Sequence, residues 1–542
     1  MSQISFFDCN CWIGRPAKRH AKEPMTAGEL LAAMNYYSIE HALVHENASV
    51  EGDPDTGNAL LLDEIRDFPR LLPVAVVAPY IEKNAGEVRK ILGDYVARGF
   101  RAFQVFPKGN SFSVNSCYAH ILFGAMERFH LPLLMEYEQV AFDGIDRFAA
   151  QYKNLKIILV RASHFHDRNL YALVRAHANI FVEISQQHNH RGVNEFVRHF
   201  SAKRLLFGSS YPKMSPGAAM GLTTLPAIKD DEKRMIAGEN LKRLLGLDSK
   251  RCDAMAEKDK GFIPWEKKWR PEIENLKQEL IIDAHAHFMS WYQPIFSQDD
   301  MAMIVRSMDE LGIDKLTISE VLGYTNDNEL TRRFMKAYPD RIIGRCCINP
   351  NYPDEVARII KRDIEEFGMQ GFKIHSHHGH PPGHPAYDPM WRYAQKNRLS
   401  VKAHTWGHDQ NASPEAFERI LAKYPKVILI MGHAGGGEFD DHDPYIDFAN
   451  KHRNVYLEIT YSQAPYRRIE HLVERAGEDK VLFGSDAFMR GFESQLGWVF
   501  YADITREQKK KILGLNLQGI LDQARPAQYK KRNQKERKGK AW

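Results

Sequence analysis

The second half of the chain alternates short apolar, β-branched runs with longer stretches whose apolar residues recur every three or four positions. The runs fall near 281–287, 315–320, 342–348, 371–376, 400–405, 427–433, 455–460 and 481–486. Between them lie segments such as DDMAMIVRSMDELG and SPEAFERILAKYP, patterned as helices that bury one face. Eight strand–helix alternations in about 250 residues predict a (β/α)8 barrel, a fold that places its chemistry at the C-terminal ends of the strands.

The first half repeats the script. GF at 99–100 returns at 371–372, YKNLKIILVRA (152–162) as YPKVILIMGHA (424–434), and NIFVEIS (179–185) as NVYLEIT (454–460). RLLFGSS (204–210) returns as KVLFGSD (480–486), and GENLKRLLGL (238–247) as GLNLQGILDQ (514–523). Landmarks in one order at an offset of about 272 residues read as a tandem duplication. The expected fold class is α/β, with two tandem (β/α)8 TIM-like barrels over 1–247 and 278–525. The segment 248–277 is expected to link them, with Phe262, Trp265 and Trp269 packed rather than free, and 526–542 to form a basic tail.

Composition narrows the class without naming a function. Of 542 residues, 44% are hydrophobic and 26% charged, the balance of a soluble globular protein with ample core. No apolar stretch approaches the roughly 20 residues of a membrane helix, and the N-terminus reads as a strand rather than an export signal. Six cysteines in so long a chain make no disulfide framework, so a reduced, cytoplasmic setting is expected. The net charge of +5 includes the tail YKKRNQKERKGKAW, read as a solvated terminus and not as a nucleic-acid contact.

The candidate chemistry lies in the histidines. His285 and His287 are two apart at the end of the strand run IIDAHAHF, so both imidazoles face one side. His404 ends the fifth run, His433 the sixth and Asp486 the eighth. Several nitrogens and one carboxylate at the ends of four strands suit zinc, iron or manganese. Lys373 ends the fourth run, His375 shares its face, and His377, His378, His380 and His384 follow in a Pro/Gly-rich loop. The first half keeps the strand SFFDCNCWIGR and its aspartate, but Asn10 and Trp12 replace the histidine pair. Glu136 falls opposite His404, Arg161 opposite His433 and Ser210 opposite Asp486. Arg101 falls opposite Lys373 and, with Arg161, is expected at the strand ends.

The motifs DAHAHF, HTWG, GHAGG and FGSDAF resemble the amidohydrolase superfamily, in the branch called amidohydrolase family 2. The resemblance implies His285, His287, His404 and Asp486 as ligands of a divalent metal, most simply zinc, with manganese or iron as alternatives. It implies His433 as a second-metal ligand or an acid–base and electrophilic group, and Asp486 as a proton acceptor. Lys373 would be a plain lysine facing substrate anions, or a carbamylated bridge between two metals, with His375 beside it at the substrate. The implied function is a metal-dependent hydrolase acting through a metal-activated water on an amide, lactone or related carbonyl compound. A non-oxidative decarboxylase or hydratase on the same site is the alternative. Relatives often pair as dimers, so the silent half implies an intramolecular pseudo-dimer, with further oligomerisation left open. The expected partner is a small-molecule substrate, not a membrane.

Overall fold

The computed structural model describes residues 3–18, 23–247, 261–287, 301–320, 327–437, 442–461 and 463–524. The basic tail and the 248–260 part of the expected linker lie outside the described residues. Contacts divide the chain into two compact units, Met1–Ile273 with Gln463–Tyr466, and Glu274–Ser462 with Arg467–Trp542. The division falls inside the stretch expected to be a linker. There the helix Trp265–Leu276 buries Trp265 and Trp269, whose Nε1 donates to the Tyr36 carbonyl at 3.1 Å.

In the first unit β1 (Phe6–Ile13), β2 (Ile39–Glu46), β3 (Leu71–Val76) and β4 (Ala102–Val105) pair in order. The order continues through β5 (Leu133–Glu136), β6 (Ile157–Val160), β7 (Ile180–Glu183) and β8 (Leu205–Leu206). All pairings are parallel, and the chain after β8 returns to β1 through Cys9 N–H to Phe207 O at 3.0 Å. The result is a nearly closed eight-stranded barrel. Phe7, Val74, Leu134, Ile158 and Leu206 fill its interior.

The second unit is also α/β with parallel strands. One sheet joins β9 (Ile282–His287), β10 (Lys315–Ser319) and β11 (Ile342–Gly344). Another runs β12 (Cys346–Cys347), β13 (Gly371–Ile374), β14 (Ser400–His404), β15 (Ile428–Gly432), β16 (Val455–Glu458) and β17 (Val481–Leu482). Only Arg345 separates β11 from β12, and its N–H donates to Ile318 O at 2.8 Å. After β17, Ala487 pairs with Ala286 of β9, and His287 N–H donates to Ala487 O at 2.6 Å.

The recurring landmarks have physical causes that are the same in both units. Asp8 accepts from the N–H groups of Asn10 (2.9 Å) and Ser209 (3.0 Å) and from the Ser209 hydroxyl, tying β1 to the end of β8. Asp283 does this with His285 (2.8 Å) and Ser485 (3.1 Å), so the aspartate shared by the two strands is a seam and not a catalyst. Asn240 donates to the carbonyls of Ala202 and Leu205, both at 2.8 Å, and Asn516 to those of Glu478 (2.7 Å) and Val481 (2.9 Å). Gly238 and Gly514 let a helix lie against the start of the first strand, where a Cβ would strike Ser5 O or Leu280 O.

Candidate metal centre

Strand alternation turns His285 and His287 to one side of β9, and each imidazole is oriented from behind. His285 Nδ1 donates to Glu458 Oε2 at 2.5 Å, which leaves its Nε2 as a lone pair. His287 Nδ1 lies 3.4 Å from Ser319 Oγ on β10. The two Nε2 atoms stand 3.0 Å apart, and Asp486 Oδ1 is 3.6 Å from the first and 3.4 Å from the second. All three side chains are buried, and Asp486 Oδ1 has no hydrogen-bond partner. Ligands about 2.1 Å from a zinc ion lie roughly 3.4 Å from one another, which is the spacing of these three atoms. The donor set therefore fits a divalent cation.

A second group, His285, His433 and Glu458, also converges, but the Glu458 oxygens are already occupied. Thr460 donates to Oε1 from its N–H (2.7 Å) and its hydroxyl, and His433 N–H reaches Oε2 at 3.2 Å alongside His285. Glu458 is thus placed to orient the His285 ring more than to meet an ion itself. The sequence does not single it out, because Glu183 stands at the matching place in the first half and the pair reads as scaffold. Glu458→Gln should weaken metal binding by about 10- to 100-fold while the protein stays folded, because a neutral amide no longer fixes the His285 tautomer. A calorimetric titration that gives wild-type affinity would contradict that role.

The remaining expected residues surround this trio. Lys373 Nζ lies 3.3 Å from His285 Nε2, pointing into the cluster. Burial lowers its ammonium to about 8, against the pull of Asp486. His433 Nδ1 donates to Thr460 O at 2.9 Å, so its Nε2 is the free face and lies 3.1 Å from His404 Nδ1. His404 stands outside the group of three. It is half-buried and stacked on His375 at 4.0 Å with 13° between the rings, in line with Trp406. His375 Nδ1 accepts from His377 N–H at 3.1 Å.

Burial keeps these imidazoles neutral. His285 and His287 sit well below the usual range, with Lys373 and Lys402 adding to the effect, and His433 is lowered to about 4. Burial would raise the Asp486 carboxyl, but the Arg490 guanidinium foremost, with the Lys373 ammonium, holds it below the usual carboxylate range. His433 and Asp486 both adopt left-handed backbone, φ 67° and 65°, a strained setting common where side chains are aimed at a site.

The model of the amidohydrolase family matches residues 22–247 and 282–516, which is most of the chain. The chain belongs to the amidohydrolase family. No curated protein matches it. Among solved structures it is similar to 2,6-dihydroxybenzoate decarboxylase from Rhizobium, at 14% identity and TM-score 0.37 over 45% of this chain and 99% of that one. It is similar to 5-carboxyvanillate decarboxylase from Novosphingobium aromaticivorans, complexed with manganese and a nitrobenzoic acid, at 17% identity and TM-score 0.37 over 45% and 97%. A probable 2-pyrone-4,6-dicarboxylic acid hydrolase from Acinetobacter baumannii gives 14% and 0.35 over 45% and 99%.

The first unit holds other side chains at the matching positions. Trp12 Nε1 donates to Asn10 Oδ1 at 2.9 Å, and Asn10 Nδ2 donates to Ser210 Oγ at 3.1 Å. Trp12 also stacks on His45 at 4.5 Å, and Arg161 pairs with Glu136 at 3.6 Å. Arg161 and Ser210 keep the left-handed backbone of His433 and Asp486, at φ 54° and 55°. The strand register corrects one expectation. Gln104 pairs with Val76 and Leu134 as Lys373 pairs with Cys347 and Lys402, so Gln104, not Arg101, is the counterpart of Lys373. Arg101 precedes β4, at the opposite end of the strand from the site.

The register also exposes two buried basic side chains that no periodicity marks. Lys402 occupies the place of Leu134, and Arg345, one residue before β12, that of Val74. The Arg345 guanidinium donates to Ser400 Oγ at 2.9 Å and lies against Gly371, where a Cβ would stand 2.6 Å from Nη1. Its counterpart Val74 pairs with Ala102, where a methyl group fits. A glycine in GFKIH is the signal that could have found it.

Proposed function

We propose that the second unit is a closed (β/α)8 barrel and a metal-dependent hydrolase, and that the first is a copy that lost its ligands. The reading rests on one observation above all. The Nε2 atoms of two buried imidazoles and a carboxylate oxygen without a hydrogen-bond partner meet within 3.6 Å, with Glu458 and Ser319 behind them. His285, His287 and Asp486 would hold the ion, with His404 at the open edge of the set. Zinc suits two nitrogens and an oxygen best, and manganese or iron are the alternatives. Such an ion supplies Lewis-acid polarisation of a carbonyl and a lowered pKa of water.

The chain's own groups divide the rest of the work. His433 is neutral with its Nδ1 proton committed to Thr460 O, so its Nε2 accepts a proton rather than giving one. Asp486 remains anionic, balances the buried cations and is the second acceptor. Lys373, with His375 above it, is placed for an anionic group of a carbonyl substrate such as an amide or lactone. Lyase chemistry is the second reading, and Lys373, buried 3.3 Å from His285 Nε2, supports it, because an ammonium at that place suits a substrate carboxylate. Reaction in 18O-labelled water separates the two. Hydrolysis places the label in the product acid, whereas decarboxylation releases carbon dioxide and leaves the organic product unlabelled. An enzyme stripped of metal that keeps full activity would end both readings.

A further inference from the structure

Arg490 lies four residues beyond Asp486, and both side chains are buried. Its N–H donates to the Asp486 carbonyl at 3.0 Å, which turns the chain back so that Nη1 stands 3.1 Å from Asp486 Oδ2. The other carboxylate oxygen, Oδ1, has no hydrogen-bond partner and faces the two histidines. A carboxylate free to rotate about its last torsion can offer either oxygen, or both, to a cation. Here one oxygen is ion-paired with a buried guanidinium, through a contact at 3.1 Å that is charge pairing rather than an aligned hydrogen bond, and the other is left to the donor cluster.

The first unit supplies an internal control. Its matching turn persists, with Met214 N–H donating to Ser210 O at 3.3 Å and Ser210 in the same left-handed backbone. Serine stands there in place of the aspartate, and methionine in place of the arginine. The turn therefore does not require Arg490, and the guanidinium is absent where the carboxylate is absent. We propose that Arg490 is a positioning residue that fixes Asp486 so that Oδ1 alone is presented to the metal. This rests on the reading that His285, His287 and Asp486 hold a divalent ion, and it adds the device that sets how the carboxylate binds.

The test is a calorimetric titration of metal-free, full-length protein with Mn2+, together with the electron paramagnetic resonance spectrum of the bound ion. Removing a cation next to the site would by Coulomb's law alone strengthen metal binding. Positioning predicts the opposite sign. Arg490→Met should weaken Mn2+ binding by about 10- to 100-fold and broaden the spectrum, and Arg490→Lys should recover part of the loss. In an Asp486→Asn background, Arg490→Met should add no further loss, since the two residues act as one unit. Unchanged or tighter binding by Arg490→Met overturns the proposal, as does an equal loss in the Asp486→Asn background. If Arg490→Met does not fold, Arg490→Lys carries the test, and wild-type affinity with a wild-type spectrum in that variant overturns it. Absence of Mn2+ binding by the wild type would remove the metal-centre reading and the proposal together, a result distinct from all of these.

Discussion

Replacing His285 and His287 together by alanine is expected to yield a folded protein that binds no divalent metal and has no turnover above background. The two imidazoles supply two of the three converging donors, and Asp486 alone cannot hold an ion against water. Glu458 remains but keeps three of its four donors, from His433 and Thr460. Truncating two buried rings leaves a cavity and costs on the order of 3–5 kcal/mol, enough to lower the unfolding temperature without unfolding the unit. Metal content measured on protein purified without a histidine tag, alongside circular dichroism, checks the result. A stoichiometric metal in the double variant would show that the ligands lie elsewhere, and the candidate centre would have to be given up.

What the sequence made legible follows the range of each interaction. The histidine pair was readable because i and i+2 share a face on any strand, and Asp486 because it ends a run of the same register. The strands of both halves were readable for the same reason, since apolar runs of β-branched residues need no distant partner to declare themselves. Glu458 was not readable, because its role is fixed by His285, far away in the sequence. Arg490 was hidden in a loop whose turn is the same with methionine in its place. The shared GF at 99–100 and 371–372 misled the register. β4 begins at Ala102, three residues after Gly99, whereas β13 begins at Gly371 itself, and the offset moved Arg101 to a position that Gln104 holds. His404 shows the remaining limit. Its place at the end of β14 was legible, but its stacking on His375 and its contact with His433 depend on loop geometry that no periodicity encodes.

Asp486→Asn separates the electrostatic and structural roles of the carboxylate. An asparagine side chain keeps an oxygen that can coordinate, so metal affinity should fall less than in His285→Ala, where a donor is removed outright. Turnover should fall much further, by about 10²- to 10⁴-fold, because the amide carries no charge and accepts no proton. The Arg490 guanidinium holds Asp486 below the usual carboxylate range, so it is ionised throughout any ordinary assay range. The loss should accordingly be the same at mildly acidic and mildly alkaline pH, while the wild-type profile is shaped by other groups. The buried Arg490 is left without its anion in this variant, which costs stability on the order of a few kcal/mol and should appear as a lower unfolding temperature. Metal occupancy, turnover at several pH values and thermal unfolding together resolve these effects. Near-normal turnover in a metal-loaded Asp486→Asn protein would reduce the aspartate to a structural counterion for Arg490 and leave His433 as the acceptor on which the chemistry depends.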